Sequence, residues 1–230
     1  LATGAVTLVN VDTSGNNCDG IRLEDASSVS ISTSTSSNND ADATDGGDGI
    51  DIRNTGAVTL TDVTANGNDP GIFVSGAASF SDTDGTYSGN ALHGIQLIDI
   101  AGDVTLVRTR LEDNDADTNL AGDGFNATDG GDADSVAIGG NLLVQGVQIS
   151  DTGASNQQRG FFADGIAGTA TFENSAGVVQ SVSVTGHEGT GVDLRETGGP
   201  VTFTGGGYSG NGTGGGATAD GIRIVNTVAS

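Results

Sequence analysis

Along the chain, a glycine followed by an apolar residue, a variable residue and a second apolar residue recurs eight times. The copies are Gly20-Ile-Arg-Leu23, Gly49-Ile-Asp-Ile52, Gly71-Ile-Phe-Val74, Gly94-Ile-Gln-Leu97, Gly124-Phe-Asn-Ala127, Gly160-Phe-Phe-Ala163, Gly191-Val-Asp-Leu194 and Gly221-Ile-Arg-Ile224. Between them stands a second alternating signature: Val6-Thr-Leu8, Val29-Ser-Ile31, Val58-Thr-Leu60, Ala78-Ser-Phe80, Val104-Thr-Leu106, Leu142-Leu-Val144 and Val201-Thr-Phe203. Alternation with a period of two marks strands that bury one face. Between Gly160 and Gly191 the second strand can be either Ala170-Thr-Phe172 or the run from Val178 to Val184. No window carries a helical period.

Two or three short strands per repeat, with Gly, Asn or Asp at the corners, can bury their apolar faces only against neighbouring repeats. The pattern therefore predicts one all-β domain over residues 1–230, a solenoid of about eight rungs with parallel sheets and columns of Ile, Val, Leu and Phe inside. Differences in repeat length are expected in outward loops. Stacking would set Arg22 over Asp51, Glu24 over Arg53 and Asp193 against Arg223, so that opposite charges meet on neighbouring strands. The other reading leaves these charges simply solvated.

The stretch from Gly49 to Asn68, returning at Gly71-Ile72, resembles the right-handed parallel β-helix repeat of the pectin-lyase-like superfamily and the repeats of large bacterial surface and secreted proteins. The resemblance implies a right-handed coil. It leaves activity open, because the superfamily includes lyases, hydrolases, epimerases, tailspikes and adhesins.

Among 230 residues there are 40 glycines, thirty acids and seven bases, all arginine, for a net charge of −23. That balance excludes a nucleic-acid binder, which needs cations to displace phosphate counterions. The apolar runs are too short to enter a membrane. A single cysteine, Cys18, excludes an internal disulfide framework.

No catalytic residue is assigned. Superfamily lyases use a basic residue and its hydrolases several Asp around a short His motif; neither pattern stands here. His93 takes a corner where other repeats carry Asp19, Asp48, Asp123 or Asp220, and His187 lies in a Gly-rich turn. The acidic loops are the better candidates. Asp40, Asp42, Asp45 and Asp48 form one group and Asp113, Asp115 and Asp117 another, and carboxylates among glycine carbonyls are ligands suited to Ca²⁺. Neither group follows an EF-hand or a calcium β-roll code, so a solvated acidic loop is the alternative. Tyr87 and Tyr208 occupy corresponding places, either as a shallow sugar-stacking patch or as part of the core; Phe73 and Phe162 fall at outward positions.

The function expected is a non-catalytic structural or adhesive segment outside the cell, such as a stalk, sheath or fibre component with a carbohydrate or other cell-surface ligand. The competing expectation is a polysaccharide-binding or polysaccharide-degrading β-helix acting along one sheet face. The ends, beginning at a Val-Thr-Leu strand and finishing at a Gly-Ile strand, fit either a piece of a longer solenoid or end-to-end self-association.

Overall fold

The computed structural model describes residues 4–39, 47–115, 122–131, 136–152, 158–175, 180–212 and 220–226. The described strands fall into two parallel sheets. The first has eight strands, one from each glycine motif: Ile21–Glu24, Ile50–Arg53, Ile72–Ser75, Ile95–Ile98, Asp123–Thr128, Arg159–Ile166, Val192–Thr197 and Ile222–Val225. The second has thirteen strands in two arms. In the Ser28–Thr35 and Ala57–Thr64 strands the arms are continuous. Later coils divide them, as in Ser79–Thr83 with Thr86–Ser88 and Val104–Val107 with Arg110–Glu112. The interval from Gly160 to Gly191 follows this rule, since Ala170–Glu173 forms one arm and Ser183–Thr185 the other.

Three corners shape the coil, and at each a left-handed residue recurs at the same place in several coils. Asp25, Asn54, Gly76 and Asp99 end strands of the first sheet; Thr33, Asp62, Asp84, Arg108 and Gly146 mark the junction of the arms, inside the strand for the first two; Asn38, Gly67, Gly89 and Asp113 follow the second arm. Asp and Asn tolerate positive φ better than most side chains, so their abundance at these corners has a conformational cause.

After the third corner comes a column that locks the stack. Asn16, Asn39, Asn68 and Asn90 donate through Nδ2 to Oδ1 of the asparagine one coil ahead, at 3.0, 3.1, 3.5 and 2.8 Å, ending on Asn114. The backbone amides of Asn39 and Asn68 donate to the same oxygens at 2.9 Å. Asn68 also donates to the Ser36 carbonyl and Asn114 to that of Tyr87. Buried amides are thereby satisfied, which makes them stabilising rather than costly.

This column explains the motif glycines. A Cβ on Gly94 would lie 2.7 Å from the Gly124 carbonyl and 2.8 Å from Asn114 Nδ2; at Gly71, Asn90 Nδ2 and the Gly94 carbonyl are both at 2.8 Å. These distances are far inside van der Waals contact, so the asparagine column requires the glycine column beside it.

Core packing changes along the axis. In the first sheet the leading inward column runs Ile21, Ile50, Ile72, Ile95 and then Phe125 and Phe161. Phe125 stacks on Phe161 at 4.3 Å, Phe161 meets Phe172 edge-on at 5.2 Å, and Phe172 stacks on Phe203 at 4.7 Å. Ala127, Ala163 and Ala170 supply the compensating small volumes, all fully buried.

One expected register is corrected. Ala78-Ser-Phe80 does not take the place of Val58-Thr-Leu60: Phe80 pairs with Val58 and Asp82 with Leu60. A two-residue slip keeps inward residues inward, and it puts the Asp82 carboxyl in the core. Tyr87 donates to it at 2.7 Å and Thr109 at 2.6 Å. Burial pushes this carboxyl up to about 6, against the opposing pull of those hydroxyl groups. Tyr87 is fully buried and Tyr208 packs partly buried against the core, so the two tyrosines belong to the core rather than to a surface patch.

Candidate functional site

Five of the seven arginines, Arg22, Arg53, Arg159, Arg195 and Arg223, lie along the outer side of the first sheet. The registers predicted from charge are present, with Arg22 opposite Asp51, Glu24 opposite Arg53 and Asp193 opposite Arg223. For Arg22 and Arg53, however, the shortest ion pairs run within a strand. Arg22 reaches Glu24 at 2.6 Å and Arg53 reaches Asp51 at 2.8 Å, whereas Arg22 to Asp51 and Arg223 to Asp193 are 3.7 Å. Residues two apart share a strand face, so a guanidinium can fold along its own strand.

Aromatic rings extend this pairing. The Arg159 guanidinium lies 3.6 Å over the Phe162 ring, with Arg195 5.0 Å from it, and Arg53 is 4.9 Å from Phe73. Such cation–π contacts hold arginine side chains against the sheet. Phe162, outward by register, is consequently only 6 % exposed. Beneath it Arg159 forms a two-pronged pair with Asp123 at 2.9 and 2.8 Å, and Asn126 donates to the same carboxylate at 2.7 Å. The Asp123 amide donates to His93 Nδ1 at 3.0 Å. His93 is buried, and burial lowers its basicity. It is a corner residue.

Two clefts open along this sheet. One, of about 310 Å³, is lined by Asp164, Arg195, Glu196, Arg223 and Val225; burial raises the Asp164 carboxyl. The other, of about 360 Å³, lies over the first coils and is bounded by Asp19, Arg22, Asp48, Arg53, Pro70 and Phe73, with Cys18 and Gln96 at its margin. Asp48 is 8 % exposed. Its amide donates to Asp19 Oδ1 at 3.1 Å, while its own carboxyl accepts no hydrogen bond among the described residues. Desolvation, followed by repulsion from Asp51 and Asp19, pushes that carboxyl up to about 8. Its burial had no signal in a glycine-rich acidic stretch.

The calcium candidates separate. Asp40, Asp42, Asp45 and Asp117 lie outside the described residues. Asp48 faces the first-sheet cleft, whereas Asp113 and Asp115 follow the second arm. The Asp113 carboxylate accepts from the Thr152 amide at 2.7 Å and from its hydroxyl at 2.9 Å, bridging coils, and Asp115 is fully buried. Among the described residues, no group of three or more His, Cys, Asp or Glu side chains is arranged to hold a metal ion. His187 stands in the asparagine column, beside Gly160. Its ring points toward the Ile149 carbonyl without completing a hydrogen bond, and burial holds its basicity down to about 4.

Two parallel sheets wound through repeated left-handed corners define a β-solenoid. Over residues 1–160 the sequence matches the family described as right handed beta helix region, and the chain belongs to that family. Neither the curated proteins nor the solved structures contain a match. No helix among the described residues is long and apolar enough to cross a membrane.

Proposed function

We propose that this β-helix is a non-catalytic structural and adhesive segment acting outside the cell, with the outer side of the first sheet as its contact surface. One observation carries this reading. On a chain of net charge −23, five arginines gather on one sheet, each already held by a carboxylate and three by a phenyl ring as well. Only two arginines are left for the rest of the surface, which is therefore strongly anionic and repels unselected neighbours. A rigid, nearly charge-balanced stripe on such a rod is suited to contact without self-repulsion.

A second reading, polysaccharide cleavage along this face, is favoured by the Asp48 carboxyl, pushed up to about 8 beside Asp19 in one cleft, with the Asp51 carboxylate buried nearby. Carboxyl groups in contrasting environments are the ordinary equipment of glycoside hydrolysis. The test is incubation of the protein with acidic and neutral polysaccharides, following reducing ends and unsaturated products. The structural reading expects neither. Product formation that disappears in Asp48→Asn would overturn it in favour of the enzyme.

A further inference from the structure

We infer that the Asp48 cleft receives a single alkylammonium or guanidinium side chain of a basic partner protein, its charged head at Asp19 and Asp48 and its aliphatic stem along Pro70 and Phe73. The inference rests on the contact-surface reading above and names the chemistry of what that surface takes.

The charge inventory of the cleft fixes the sign of the ligand. Arg53 bonds Asp51 through Nε at 2.8 and 3.0 Å, and Arg22 bonds Glu24 at 2.9 and 2.6 Å. Both guanidinium groups are thus committed. Arg22 reaches Asp19 only at 3.7 Å, and no arginine among the described residues pairs with Asp48. The uncompensated charge is therefore negative. Besides the desolvation that chiefly raises Asp48, repulsion from Asp51 and Asp19 contributes, and that negative potential favours a cation placed there, while the long-range field of the chain draws basic partners toward it.

Shape narrows the class further. Among the described residues no three acidic or imidazole groups converge as metal ligands. A cleft of about 360 Å³ with one wall of Pro70 and Phe73 admits a four-carbon stem. Lysine and arginine stems lie along apolar surface while the head stays with polar groups. The chain contains no lysine, so this ligand is not a lysine from a second copy.

The probe is n-butylammonium, titrated into the full chain while the Gln96 side-chain amide and the Phe73 ring are followed by NMR. Saturable shifts confined to this cleft are expected. Asp48→Asn should weaken them about tenfold, as expected for loss of one charged hydrogen bond. Asp19→Asn, a more exposed change, should weaken them in the same direction, and Asp164→Asn in the other cleft should not. Affinity unchanged in both Asp48→Asn and Asp19→Asn would overturn the inference. So would shifts produced by Ca²⁺ or by propionate but not by butylammonium. Polysaccharide cleavage would instead overturn the reading on which this rests, whereas a flat butylammonium titration without cleavage removes this inference alone.

Discussion

The coils up to Asn114 and those from Phe125 onward solve the same stacking problem differently. The earlier coils pair a mainly aliphatic core, with Phe80 and Tyr87 set into it, with an unbroken asparagine column. The later ones pack phenyl rings against alanines, and their column carries Thr152 and His187 where asparagine would stand, resuming at Asn211. Directional hydrogen bonding secures the first region and apolar volume the second. Each coil contacts mainly its neighbours, so the two regions can differ in local stability within one rod.

The largest expected effect lies in the aromatic region. Phe161→Ala removes the ring shared by Phe125 and Phe172 and should cost about 4 kcal/mol. Urea unfolding followed by segment-resolved hydrogen exchange should place the loss between Phe125 and Phe203. Equal loss in the strands near Ile50 would show that the rod unfolds as one unit.

Acidity should drive the regions in opposite directions, by about 3 kcal/mol for each fully titrated core group. The folded Asp82 carboxyl titrates at about 6 against an ordinary 3.8, so its stability is complete in acid and is lost as pH rises from near 4 through 6. Asp48, raised to about 8, adds to the same trend over a wider window. His187 is depressed to about 4 from 6.5, so its region loses stability as pH falls through that interval. Hydrogen exchange at the two pH extremes should show Ser79–Thr83 better protected in acid and Ser183–Thr185 better protected near neutrality. Asp82→Asn and His187→Asn should each flatten their own region only.

A smaller effect, about 2 kcal/mol, is expected from Gly94→Ala, whose methyl group meets backbone and ladder atoms that cannot move apart cheaply. A melting temperature equal to that of the parent would refute the coupling of the two columns. Smallest is His187→Asn, which gives the Ile149 carbonyl a donor and should raise stability by about 1 kcal/mol, visible as a higher melting temperature at pH 7.

Much of the coil is legible in the order of residues alone. The glycine motif places the first sheet, and the polar corners are the residues that accept left-handed backbone. What stays hidden there is informative. The asparagines read as corner residues because a corner and a ladder favour the same side chain; only the glycine opposite each distinguishes them. Asp82 is hidden because inward aspartate contradicts the alternation unless Tyr87 and Thr109 already face it. The arginines announce the correct register, but not that Arg22, Arg53 and Arg195 turn along their own strands, since side-chain reach has no periodicity. Asp48 looks like any loop carboxylate, because burial there comes from the neighbouring coil.

The fixed corners also make the molecule countable. Between Asn68 and Gly71 the connection is minimal, whereas Asn39 to Gly49 and Asn114 to Gly124 are longer in sequence. The same winding also accepts different lengths at the other corners, where Gln145 to Gln148 is matched by Glu173 to Ser183 and Ile98 to Ile100 by Thr128 to Ile138. Such a protein keeps a constant thread in its strands and takes its variety at the bends between them.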